Sequence, residues 1–252
     1  MTAIAPDDSW YEKFFSGAAL DLWRRAKSPE TTEEELAFLL EVLAPPAGAC
    51  LLDVPCGNGR LSLPLSLMEF KVTGVDSCRE FLNEAQAIAK AYETEINYLN
   101  IDMRKLSFRD QFDAAFCMGN SFAYFDRDGS LEFLKAVALS LKSGGRFLID
   151  SVMPAESFLV NGAEKEWVKV GDIYMLTENR YNSRLSCVET RYIFIQNGKE
   201  EHRDAVHWIY TVGELCHMLE KSGFAIIDIF SSIDGEEFYL GSDRLLLVAE
   251  KS

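Results

Sequence analysis

The stretch Leu51-Leu52-Asp53-Val54-Pro55-Cys56-Gly57-Asn58-Gly59-Arg60, followed by Val72-Thr73-Gly74-Val75-Asp76, constrains this chain more than any other. It reads as a buried strand, a glycine turn, a helix and a second strand that ends in an acid. An open α/β sheet builds a nucleotide-type ligand site in this way, at the carboxyl ends of its strands.

The alternation continues. Strands are expected over 50–54, 72–75, 96–99, 113–118 and 146–152, with helices over 59–68, 78–91 and 130–141 between them. Lys142-Ser143-Gly144-Gly145 is expected to turn the chain into the strand that starts at Arg146. Strands alternating with helices imply a parallel sheet with right-handed crossovers. Ahead of them, residues 8–24 are rich in aromatics at mixed helical spacing. A helix over 32–43 follows, capped by Thr31 or Thr32 and ended by Pro45-Pro46.

The period changes after Pro154. Residues 167–210 alternate without a helical repeat, and turn signals fall at Asn182-Ser183-Arg184 and Gln196-Asn197-Gly198-Lys199. Three or four antiparallel strands are expected here as an insert. A helix capped by Thr211 and two strands, 225–230 and 244–250, resume the α/β pattern. The expected organisation is a helical cap over 1–45, a Rossmann-like α/β unit over 46–154 and 206–252, and an antiparallel β insert over 155–205.

The net charge is −15, from 25 basic and 40 acidic residues. Phosphate backbones need clustered Lys and Arg, so this balance opposes a nucleic-acid partner. Six cysteines without a CxxC pair read as reduced thiols of a cytoplasmic protein. The segment 1–8 has no basic start and no apolar run, so no leader is expected. No apolar run approaches the roughly 18 residues of a membrane span. His202, His207 and His217 are not at metal-ligand spacing, and no metal is expected.

The acids discriminate between ligands. A dinucleotide would bring a pyrophosphate close to Asp53, and like charges repel. S-adenosylmethionine carries a sulfonium and an ammonium instead. Five ordered segments point the same way: Asp53 to Gly59, Gly74-Val75-Asp76, Asp102-Met103-Arg104, Gly119-Asn120-Ser121-Phe122-Ala123-Tyr124-Phe125, and Leu141 to Gly145. Together they resemble a class I S-adenosylmethionine-dependent methyltransferase, and the Gly119–Ala123 segment is similar to that of glycine and sarcosine N-methyltransferases. The fold implied is a Rossmann-like, seven-stranded, mostly parallel sheet. The activity implied is methyl transfer to a small molecule, leaving S-adenosylhomocysteine.

In that reading Gly57 and Gly59 let the backbone approach the ligand's methionine part, and their amides hold its carboxylate. Asp53 bonds the amino group. Asp76, 23 residues on, accepts the ribose hydroxyls, with Ser77 beside it. The resemblance places Asp102 and Met103 at the adenine, Cys117 and Met118 toward the sulfonium, and Tyr11 on a lid. Pro55 departs from the family's usual first glycine and removes one N–H from the loop.

Asn120, Tyr124 and His207 are the candidates for orienting or deprotonating an acceptor. An amine that arrives neutral needs no strong base and a hydroxyl usually does, which favours nitrogen over oxygen. The insert, with Trp167, Tyr174, Tyr181, Tyr192 and Trp208, is expected to carry substrate specificity or a homodimer surface. Two other readings stand beside this one: a non-catalytic S-adenosylmethionine-binding or assembly protein, and an NAD-type oxidoreductase.

Overall fold

The structure, a computed structural model, describes residues 9–252. The reading of 1–8 as leaderless, and the start of the expected cap, lie outside the described residues.

Three helices come first: α1 (Tyr11–Phe14), α2 (Gly17–Arg25) and α3 (Pro29–Leu43). The sheet follows as β1 (Cys50–Asp53), α4 (Ser62–Leu67), β2 (Lys71–Asp76), α5 (Arg79–Ala91), β3 (Asn97–Asn100), β4 (Phe112–Cys117), α6 (Arg127–Ser140) and β5 (Leu141–Ser151). Helix α7 (Ala155–Asn161) leads into β6 (Lys165–Val170), β7 (Ile173–Asn182), β8 (Cys187–Gln196) and β9 (Lys199–Trp208). The chain closes with α8 (Val212–Lys221), β10 (Phe224–Phe230) and β11 (Leu245–Lys251).

The seven-stranded sheet has the order β10-β11-β5-β4-β1-β2-β3. Pairs β1–β2, β2–β3, β1–β4 and β4–β5 are parallel, and β11 runs antiparallel to both neighbours. The chain winds outward from β1 to β3, then crosses to β4 on the other side of β1. Ligands collect at such a switch point, beyond the carboxyl ends of the strands. Asp53 ends β1, Asp76 ends β2 and Cys117 ends β4, so the topology gathers these segments. Leu51, Leu52, Ala114, Ala115, Phe116 and Leu148 are buried on the two sheet faces, which is why these strands read as near-continuous apolar runs.

The insert forms its own sheet, β6-β7-β8-β9, antiparallel throughout. It extends to Trp208, past the expected limit at 205, and begins with α7, which the sequence reading missed. Phe14 meets Tyr192 at 5.0 Å and Trp23 meets Phe194 at 6.1 Å, so the insert packs against the N-terminal helices. Glu201 of β9 accepts the Ala18 N–H at 3.1 Å, at the start of α2. Among the described residues, no helix is long and apolar enough to cross a membrane.

Two local expectations need correction. Helix α3 starts at Pro29 rather than 32, and Ser28 is its cap: Ser28 Oγ accepts the Thr31 N–H at 3.1 Å. Proline at the first helical position loses no hydrogen bond there and is already set at a helical φ. Residues 142–145 do not precede β5 but bulge within it, where the register against β4 jumps from Phe112↔Leu141 to Ala114↔Arg146. Removing the α3 cap should be measurable: Ser28→Ala is expected to cost about 1 kcal/mol of folding free energy in denaturant titration.

Candidate active site

A cavity of about 260 Å³ lies over the carboxyl ends of β1, β2 and β4. The glycine loop and the ends of β1 and β2 wall it on one side, and Tyr11, Phe15 and Trp23 of the N-terminal helices close it on another. Of the sequence candidates, Tyr11, Asp53, Pro55, Gly57, Asp76, Ser77, Asp102, Met103, Met118 and Tyr124 line it. Gly59, Cys117, Asn120 and His207 do not line it.

The two strand-end acids are nearly enclosed. Asp53 is 2 % exposed, and Ser62 Oγ donates to its Oδ2 at 2.6 Å. Burial pushes its carboxyl up to about 7, against the opposing pull of Ser62 and Arg60. Asp76 is 8 % exposed. Its Oδ2 accepts the Gly57 N–H at 2.8 Å and its Oδ1 accepts the Cys78 N–H at 2.7 Å. Burial raises it to about 6, partly offset by those two amides. Each carboxylate oxygen still has a lone pair for another donor. Asn100, which the sequence reading did not single out, fixes this strand end by donating to the carbonyls of Asp76 (3.1 Å) and Ser77 (2.9 Å).

The glycines serve different ends. Gly57 (φ +55°) fronts open space, and an added Cβ there would meet nothing within 4 Å. Gly59 (φ +78°) faces inward, where a Cβ would stand 2.3 Å from the Tyr98 hydroxyl. Its smallness admits Tyr98, and unlike Gly57 it does not line the cavity. Pro55 follows a cis peptide bond.

Asp102 is more occupied than expected. Its Oδ1 accepts the Arg104 N–H at 2.9 Å and its Oδ2 accepts Arg104 Nη2 at 2.6 Å. Burial would raise this carboxyl, but Arg104 outweighs it and holds it below the usual range. Arg104 also donates to the Tyr11 hydroxyl at 2.9 Å and lies 4.4 Å from the Phe125 ring. The guanidinium therefore ties the N-terminal segment to the turn after β3. Tyr11 stacks on Tyr124 at 6.0 Å.

The acceptor candidates separate. Tyr124 faces the cavity, and burial pushes its hydroxyl upward. Asn120 sits in the left-handed region (φ +67°), and its Oδ1 accepts from Ser151 Oγ (3.0 Å) and the Val152 N–H (2.9 Å). That side chain fastens the loop after β4 to the end of β5. His207 is buried behind Trp10 (5.1 Å) and Tyr124 (5.7 Å), and burial lowers it to about 4. Cys117 is enclosed within β4, where burial raises its thiol far above the ordinary value. None of the insert aromatics lines the cavity: Trp167 is 66 % exposed, and Tyr192 packs behind Phe14. Arg60, Lys27 and Phe81 line it without having been singled out, because single charged or aromatic residues outside a motif give no distinctive sequence signal.

Comparison with known proteins agrees with this geometry. Residues 51–145 match a family described as a methyltransferase domain. The chain is 28% identical over 258 residues to a Bacillus subtilis (strain 168) protein named "Putative methyltransferase YqeM", covering 97% of this chain and 95% of that one. It is 31% identical over 156 residues to glycine N-methyltransferase of Rattus norvegicus, covering 55% and 53% of the two chains. In fold it resembles an S-adenosylmethionine-dependent methyltransferase from Clostridium acetobutylicum ATCC 824, with a TM-score of 0.79, 20% identity, and coverage of 92% of this chain and 96% of that one. Five ordered motifs, the strand order and these matches converge: residues 51–145 carry a methyltransferase domain, and the chain is similar over nearly its whole length to S-adenosylmethionine-dependent methyltransferases.

Proposed function

We propose that the cavity over β1, β2 and β4 is the methyl-donor site and that the acceptor is a small molecule methylated on nitrogen. The carrying observation is the pair of buried carboxylates, Asp53 and Asp76, that front one cavity beside the open face of Gly57. Both have unused lone pairs and, among the described residues, no cation donates to either, so the site favours a ligand that brings hydroxyl donors and positive charge. When bound, S-adenosylmethionine supplies a methyl group on a sulfonium, whose departure leaves a neutral thioether.

In this reading Asp76 receives the ribose hydroxyls, held for the task by the amides of Gly57 and Cys78. Asp53 faces the ammonium. Met103, Ile101 and Phe125 offer the apolar wall for the base, and the aromatic cap of Tyr11, Phe15 and Trp23 excludes water. Asp102 acts mainly through Arg104, since that guanidinium already takes up both of its oxygens. Tyr124 and Ser121 present hydroxyls to an acceptor. Methyl transfer then needs alignment more than proton removal.

The environment of the candidate bases supports a nitrogen acceptor. His207 lies off the cavity and is held at about 4, and the Tyr124 hydroxyl is pushed upward. Neither is poised to take a proton from a hydroxyl near neutral pH. The match to a glycine N-methyltransferase fits the same reading. Labelled-methyl assays over a panel of amines and alcohols test it. Label on an amine is expected, and label on alcohols alone would contradict the nitrogen assignment.

Two binding measurements test the donor site. Asp76→Ala is expected to weaken S-adenosylhomocysteine binding roughly tenfold or more in calorimetry, through lost charge-assisted hydrogen bonds. An unchanged dissociation constant would remove the ribose role. The pH dependence follows from the raised carboxyls, about 7 for Asp53 and about 6 for Asp76. A donor with an ammonium and hydroxyls favours their ionised forms. Affinity should therefore rise with pH toward 8, with proton release on binding that fades once both are ionised. Without ligand the sign reverses. Unfolded carboxyls ionise near 3.9, so these two groups make the free fold lose stability as pH rises through 4 to 7. Flat affinity across that range would contradict the assignment.

A further inference from the structure

Strands β6 to β9 turn one face inward and one outward. Tyr192 and Phe194 of β8 point inward, to Phe14 and Trp23. Successive strand residues alternate faces, so Arg191, Ile193 and Ile195 stand on the outer face. The register carries that face across the four strands in three rows. One row is Lys169, Tyr174, Ile195 and Glu200; the next is Trp167, Leu176, Ile193 and His202; the third is Lys165, Glu178, Arg191 and Asp204. Side-chain contacts follow the same rows. The Trp167 and Tyr174 rings are 6.2 Å apart, and Lys169 Nζ lies 5.0 Å from the Tyr174 ring. Lys165 meets Glu178 at 3.0 Å and Arg191 meets Asp204 at 3.5 Å.

An antiparallel sheet with one face in water usually places polar side chains there. Here Trp167, Tyr174 and Leu176 are exposed, at 66%, 39% and 37%, and Ile193 and Ile195 lie half-buried beside them. Together they make one apolar patch across β6, β7 and β8. A contiguous exposed patch rimmed by charge marks an interaction surface.

The charges around the patch fit a second copy of this chain. Signs reverse about the line between β7 and β8. A half-turn about an axis parallel to that line lays the outer face of one copy on the outer face of another. Strand β6 then lies over β9, and β7 over β8. Lys165 faces Asp204, Glu178 faces Arg191 and Lys169 faces Glu200, each pair formed twice by symmetry. Leu176 faces Ile193, Tyr174 faces Ile195 and Trp167 faces the His202 ring. No two like charges face each other in the three rows. Aligned sheets pack about 10 Å apart with strands within about 30° of each other, which over three rows keeps these pairs as neighbours. The rows hold three basic and three acidic residues in a chain of net charge −15. Two copies of so acidic a chain repel as wholes, and this balanced face adds nothing to the repulsion.

We infer that the outer face of the insert sheet is the interface of a homodimer, in which two such sheets pack face to face with β6 over β9. None of these residues lines the cavity, so the assignment is independent of the donor-site reading.

Sedimentation of the full chain over a dilution series tests it. A species of twice the chain's mass is expected, dissociating on dilution. Trp167→Glu, at a position already open to water, is expected to leave monomer where the unaltered protein is dimeric. Leu240→Glu, in the exposed segment before β11, is expected to leave the dimer intact. Charge reversal then tests the pairing. Lys165→Glu alone sets acid against acid at both symmetric contacts, and Asp204→Lys alone sets base against base; each should weaken association several-fold. An equal mixture of the two variants forms a heterodimer with opposite charges at both contacts, and its association should return toward that of the unaltered protein. Both side chains are more than half exposed, so neither change removes a core contact. A monomer at every concentration would overturn the inference and leave the face to a different protein. A dimer that Trp167→Glu does not weaken, or that Leu240→Glu breaks instead, would put the interface elsewhere. A mixture that associates no better than either variant alone would overturn the face-to-face arrangement.

Discussion

Everything distinctive in this molecule is organised around two carboxylates held out of water at the ends of adjacent parallel strands. Burying an acid with no cation donating to it is costly, and folds usually avoid it. Here the cost is met locally by hydrogen bonds that polarise without neutralising: Ser62 on Asp53, and the amides of Gly57 and Cys78 on Asp76. The Gly57 amide also ties the glycine loop to the end of β2. Loop geometry and carboxylate orientation are thus one structure, which is why Gly57 is free to front the cavity with no side chain of its own.

Around this pair the N-terminal helices behave as a wall and not as an appendage. Tyr11 is held by Arg104 and stacked on Tyr124, while Phe14 and Trp23 lean on the insert sheet. The insert therefore packs against the cap that closes the cavity, without lining the cavity itself. At the other end of the cap, buried Glu35 of α3 bonds Lys27, Arg60 and Arg244, joining α3, the glycine loop, β5 and β11 through side chains alone. Cap and sheet are coupled by aromatic packing on one side and by ion pairs on the other.

The sheet was legible in the sequence because parallel strands buried on both faces leave unbroken apolar runs, and glycine turns punctuate them. Asp53, Gly57 and Asp76 were legible because one rule, a strand ending in an acid beside a glycine turn, fixes their place. What escaped depends on contacts between distant segments. Nothing near Glu35 in sequence shows that Lys27, Arg60 and Arg244 converge on it, and its position on α3 suggests an ordinary helix residue. Gly59 looked equivalent to Gly57, yet Tyr98 from β3 decides its role. His207 and Asn120 looked like catalytic types, but packing against Trp10 and bonding to Ser151 give them structural work. The aromatics of the insert followed strand alternation, and alternation does not say which face meets the cavity.

A crystal structure of the protein with S-adenosylhomocysteine tests the central claim most directly. The account predicts the ribose hydroxyls within hydrogen-bond reach of Asp76, the amino group toward Asp53, and the ligand backbone against Gly57. A nucleoside bound elsewhere, or one in this cavity that leaves both carboxylates without a ligand contact, would contradict it.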